Sequence, residues 1–169
     1  METKQGGGTF VRTPDGATLS LPFRGLLSGN SQAARDLLEF RRLLEPEVAA
    51  LAARRATADH AGAFETLLSR QRGAAALGRR LSREDLAFHQ LVARTAGNTV
   101  VLHVLATLRS LLSDLRAAAM TGSQPEVTIH QHERIARAIL AADPDAARAA
   151  MTEHLDAVVQ TADLPQLRP

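Results

Sequence analysis

Residues 82–98 read SREDLAFHQLVARTAGN. Ser82 offers a hydroxyl that can cap a helix, and Gly97 stands where a glycine commonly closes one. Between them Asp85, His89, Val92 and Ala96 recur at helical spacing, so these four share one face. The stretch predicts a single helix whose inward face carries a carboxylate and an imidazole among small apolar groups.

The same punctuation recurs on both sides. SQAARDLLEFRRLLEPEVAALAARRA (31–56) places Leu37, Leu38, Leu44, Val48 and Leu51 at helical spacing, with Pro46 expected to kink the helix or divide it in two. A helix is expected from Asp59 to Leu77, capped by Thr57 or Asp59 and closed near Gly78. The most apolar segment, Thr99 to Met120, is expected at the centre or at a subunit interface. Two more helices follow, one from near Ser123 to Leu140 with Pro125 in its first turn, the other from Asp143-Pro144 to about Ala162. The expected fold class is all-α, an antiparallel bundle of six to seven helices joined by short loops.

The first 30 residues break this pattern with Gly, Pro, Ser and Thr. Gly6-Gly7-Gly8 suits a tight turn and Thr9-Phe10-Val11 a short strand, for which the helical remainder supplies no partner. A helical turn is expected around Phe23 to Leu27. The division is therefore a non-helical stub and linker over 1–30, a helical domain over 31–162 and a tail over 163–169.

Composition agrees with a bundle. Of the 169 residues 45% are hydrophobic but only 3% aromatic, so the core must be built from Leu, Val, Ile and Ala. Cysteine is absent, which excludes disulfides and thiolate metal sites and leaves nitrogen and oxygen as the only ligand atoms. The formal charge is +2, with acids interleaved among the arginines, so the pI of 10.3 does not mark a nucleic-acid surface. No run of about 18 apolar residues occurs and residues 1–30 carry no signal-peptide hydrophobic region, which points to the cytoplasm and to no membrane partner.

Six histidines stand at 60, 89, 103, 130, 132 and 154. His132 shares a helix face with Ile129, Ile135 and Ile139, whereas His130 falls with Arg134 and Arg137. His154 follows Met151 by three and precedes Val158 by four, on the buried side of its helix. Three helices thus offer Asp85, His89, His132 and His154 inward, a set suited to one borderline divalent ion such as Zn²⁺ or Ni²⁺. Each has an ordinary alternative: Asp85 stands three after Ser82, as a capping-box carboxylate would, and an inward histidine can be a hydrogen-bonded core residue. His103 packs or lines a cavity on the flank of its helix and is carried as an effector contact; His60 and His130 are taken as solvated.

The runs DLLEFRRLLEPEVAALAA (36–53), DLAFHQLVARTAGN (85–98), HERIARAI (132–139) and DAARAAMTEHL (145–155), in this order, resemble the ligand-binding FCD domain of the FadR subfamily of GntR transcription regulators. The resemblance implies a dimerising helical sensor of a small organic acid. It puts a divalent ion on Asp85, His89, His132 and His154, with the acid completing the coordination, and makes Arg41 a candidate clamp for the acid's carboxylate, against the alternative that Arg41 pairs with Glu45. It also implies an N-terminal winged helix-turn-helix that reads operator DNA; residues 5–12 look like the last strand of its wing, and without the recognition helix the chain is not expected to bind an operator. Two other readings stay open: a small metal-dependent hydrolase, for which no additional general base is evident, and a metal-free dimerisation partner.

Overall fold

A computed structural model describes residues 2–4, 7–10, 31–119 and 124–161. Among them are six helices: α1 (Ser31–Arg55), α2 (Asp59–Ala76), α3 (Ser82–Thr95), α4 (Thr99–Ala119), α5 (Pro125–Leu140) and α6 (Pro144–Thr161). The expected turn at Phe23–Leu27 and the 163–169 tail lie outside the described residues.

Local chemistry explains most of the helix ends. The carboxylate of Asp143 accepts from the Ala146 amide at 2.9 Å, and Asn98 Oδ1 accepts from Val100 and Val101 at 3.0 and 3.2 Å, so α6 and α4 begin on side-chain caps. Gly78 and Gly97 close α2 and α3 at φ of 64° and 61°, a region glycine enters without steric cost. At the start of α2 neither Thr57 nor Asp59 makes the expected cap. Instead His60 folds back, its Nδ1 3.1 Å from the Thr57 amide and 2.9 Å from its hydroxyl. Ser82 is likewise the first helical residue of α3 rather than its cap, with Leu81 at the capping position.

Two expectations are corrected. Of the two outcomes expected at Pro46, division of the helix does not occur: α1 runs unbroken from 31 to 55. Proline costs the bond to the carbonyl four residues back, but Pro46 is buried and α1 makes its most extensive contacts along α6, so packing on both sides of the proline holds the helix together. The N-terminal strand is not alone either. Gly7–Phe10 (β2) pairs antiparallel with Glu2–Lys4 (β1), Thr3 opposite Thr9 and Glu2 opposite Phe10, so the residues just before the glycines supply the backbone partners that β2 needs.

The close approach of α1 and α6 follows from their small side chains. Ala49, Ala50, Ala52 and Ala53 on α1 and Ala147 on α6 are almost completely buried, and Phe64, Phe88, Ile135, Ile139, Met151 and Leu155 fill the space around them. Arg148 reaches Glu47 from α6 to α1, Arg134 reaches Glu153 from α5 to α6, and Arg72 reaches Glu133 from α2 to α5. These exposed pairs contribute about 0–1 kcal/mol each, so burial and not charge holds the bundle. Among the described residues no helix is long and apolar enough to cross a membrane.

Candidate metal centre

The helix faces that carry the core also carry six charged or imidazole side chains inward. Arg41 and Glu45 come from α1, Asp85 and His89 from α3, His132 from α5 and His154 from α6, and all are buried. Asp85, His89, His132 and His154 each present one ligand atom to a common point, all four within 4.8 Å of one another. His89 Nε2 lies 3.2 Å from His154 Nε2, and Asp85 Oδ1 lies 3.4 Å from His132 Nε2, 3.8 Å from His89 Nε2 and 4.0 Å from His154 Nε2. Atoms bonded at about 2.0–2.1 Å to one tetrahedral ion would stand roughly 3.3 Å apart, close to this spacing.

The far side of each ring explains why these nitrogens converge. His132 Nδ1 lies 3.0 Å from Gln71 Oε1, His154 Nδ1 lies 2.9 Å from Gln131 Oε1, and His89 Nδ1 lies 2.5 Å from Glu45 Oε2. The Gln71 amide is oriented by its own donor, which reaches the Glu84 carbonyl at 3.3 Å, an unambiguous acceptor. With an oxygen near each Nδ1, a proton placed there leaves each Nε2 a lone pair to turn inward. Phe88 adds a wall, its ring stacked on His132 with centroids 4.0 Å apart.

Three lone pairs and a carboxylate facing one another in a buried space repel unless something positive lies between them. The donor set, three imidazoles and one carboxylate with no thiolate, fits a borderline divalent ion. Burial, reinforced by His132 and His89 beside it, also holds the His154 imidazole well below its ordinary value, in the neutral form that ligation requires.

Arg41 does pair with Glu45, Nε to Oε1 at 2.5 Å and Nη2 to Oε2 at 3.4 Å, but its Nη1 is buried without a hydrogen-bond partner. Burial alone would raise the Glu45 carboxyl; the Arg41 guanidinium and His89 against it hold it well below the usual carboxylate range. Arg41, Glu45 and His89 border a small cavity that Leu86, Leu105 and Leu108 close from the apolar side.

His103 is not brought to this cavity. It is exposed on α4, its Nδ1 2.7 Å from the Thr99 carbonyl, beside a shallow depression formed with Val100, Val104 and Thr107. The inward positions of α4 include Leu105 and Leu108, and residue 103 falls about 200° around the helix from 105. The sequence reading did not single out Gln71 or Gln131. Gln71 had a signal, since it continues the buried series Phe64, Leu67, Leu68 at helical spacing; half-buried Gln131 had none.

A family profile, the FCD domain, matches residues 36–157. The chain belongs to the FCD domain family. An HTH-type transcriptional regulator, LutR of Bacillus subtilis (strain 168), is 30% identical over 161 residues, covering 92% of this chain and 74% of that protein. A putative L-lactate dehydrogenase operon regulatory protein of Escherichia coli (strain K12) is 30% identical over 175 residues, covering 94% of this chain but 64% of its own length. Among solved structures, a Streptococcus agalactiae GntR superposes with a TM-score of 0.72 at 26% identity, covering 94% of this chain and 73% of that one. This FCD domain is thus of the GntR transcription-regulator type; the relatives it matches are transcription regulators and not enzymes, which leaves the hydrolase reading without support.

Proposed function

We propose that this FCD domain senses a small organic acid at a divalent transition-metal ion held by Asp85, His89, His132 and His154. One observation carries the reading: three Nε2 atoms and a carboxylate oxygen converge, with an oxygen atom set against the Nδ1 of each ring. The ion would supply an electrophilic anchor for the acid's carboxylate or hydroxyl oxygens, and Arg41, with its Nη1 to spare, would hold a carboxylate oxygen beside it.

In this reading residues 31–162 sense and dimerise, residues 1–30 are a wing edge and linker, and 163–169 are a tail. Operator DNA is read by a winged helix-turn-helix N-terminal to the sensor, in the cytoplasm. Acid binding favours one packing of the bundle and so resets the spacing of the DNA-reading domains across a homodimer. The name of the E. coli relative, a putative L-lactate dehydrogenase operon regulatory protein, puts L-lactate first among acids to try.

Metal analysis after mild purification is expected to return about one ion per chain, and none from a His132→Ala, His154→Ala variant. Full occupancy in that variant would sink the site. In a thermal-shift panel, small carboxylates are expected to raise the melting temperature of the metal-loaded protein and to lose that effect under a chelator.

A further inference from the structure

Charge around the cavity next to the candidate metal narrows what it can accept. Arg41 and Glu45 are both buried and paired through two contacts, so their charges cancel. Asp85 offsets one of the two positive charges of a divalent ion, and the three imidazoles must be neutral to ligate. A single positive charge is left for an incoming ligand to balance, in a space where an unbalanced charge is costly.

The walls point the same way. Among the described residues Arg41 is the one cationic side chain lining the cavity, and Glu45 already engages its Nε and Nη2, which leaves Nη1 as the nitrogen without a hydrogen-bond partner. Leu86, Leu105 and Leu108 form the apolar wall and neutral Gln90 the remaining polar one. A second carboxylate would therefore meet leucine, the neutral Gln90 amide or the Glu45 carboxylate, none of which offers it a countercharge. The cavity is also small, about 20 Å³, so a short acid enters with the least displacement of α4, which carries Leu105 and Leu108.

We infer that Glu45 makes the site selective for short monocarboxylic acids over dicarboxylic ones, by neutralising Arg41 and by standing where a second carboxylate would have to go. The inference rests on the metal-and-acid reading above and adds to it the charge of the ligand and the residue that sets it.

The test compares L-lactate with tartronate, which differ by a methyl in place of a carboxylate, by titration calorimetry on the zinc-loaded full chain and on its Glu45→Gln variant. The wild type is expected to bind lactate at least about tenfold more tightly than tartronate. In Glu45→Gln, where a second positive charge is exposed, the ratio is expected to move toward tartronate by a further factor of about ten or more. Tartronate also chelates zinc in solution, but equally for both proteins, so the change in ratio reports on Glu45. Equal or tighter tartronate binding by the wild type overturns the inference, whether or not the variant folds, and so does an unchanged ratio in a folded variant. Binding of neither acid by the zinc-loaded protein is a different result: it overturns the acid-sensing reading itself, and this inference with it.

Discussion

Gln71 Oε1 lies 3.0 Å from His132 Nδ1, across the space between α2 and α5. The glutamine is completely buried and anchored by its own donor on the Glu84 carbonyl, so the imidazole is held from behind by an amide that cannot turn over. That contact sets which nitrogen of His132 faces Asp85.

Replacing Gln71 by Leu keeps the volume and removes the acceptor. Metal affinity in Gln71→Leu is expected to fall about 10–100-fold, the usual consequence of losing such a partner. Competition against a chromogenic chelator measures it. An affinity equal to wild type would mean that Gln71 does not orient His132.

Metal removal is expected to lower stability without unfolding the bundle, because the core of Phe64, Phe88, Ile135 and Met151 does not depend on the ion. At free zinc about 100 times the dissociation constant the gain is about 2.7 kcal/mol, or roughly 5–10 °C for a domain of this size. Thermal melts with and without chelator check it; a chelated protein that is already unfolded would contradict it.

Acid is expected to destabilise the metal-free protein through two groups of the same sign. His154 is held well below its ordinary value of 6.5, so as pH drops past that value the unfolded chain takes up a proton that the fold refuses. Glu45 is held below the usual carboxylate range, so the stability it contributes is present above that range and is lost as pH falls through it. Stability, read as melting temperature, should therefore decline from neutral pH downward, its free energy falling by up to about 1.4 kcal/mol per pH unit for each proton. A flat profile between pH 7 and 5 would exclude the His154 contribution.

Ala142 closes α5 at φ 54°, with Ala142 and Asp143 donating back to Ile139 and Ala138. The geometry is the one glycine adopts at Gly78 and Gly97, here forced on a residue with a Cβ at a cost of about 1–2 kcal/mol. Ala142→Gly relieves that cost and loosens the unfolded chain, for a net gain of about 0.5–1 kcal/mol. Urea titration measures the change, and any loss of stability would count against the strain argument.

The burial of Asp85, His89, His132 and His154 was legible because helical periodicity converts position into direction. Asp85 and His89 lie on the Val92–Ala96 face, His132 among three isoleucines and His154 beside Leu155, so burial followed from the apolar neighbours along each helix. His103 shows the limit of that signal. On a helix this apolar, periodicity leaves the flank ambiguous, and position 103 turned outward. Pro46 shows another: proline lowers local helix stability, but the packing of α1 on α6 outweighed it.

The sequence by itself determined the helical class, most of the helix limits and the inward faces, because each follows from neighbours three or four residues away. Only the tertiary structure decided that His89 and His154 meet at 3.2 Å across 65 positions, that Gln71 and Gln131 hold two of the rings, and that Arg41 keeps Nη1 to spare beside Glu45. The histidine and glutamine contacts join atoms on different helices, and whether Arg41 Nη1 meets a partner depends on what the other helices bring beside it, so how the helices pack decides both, which no local pattern encodes.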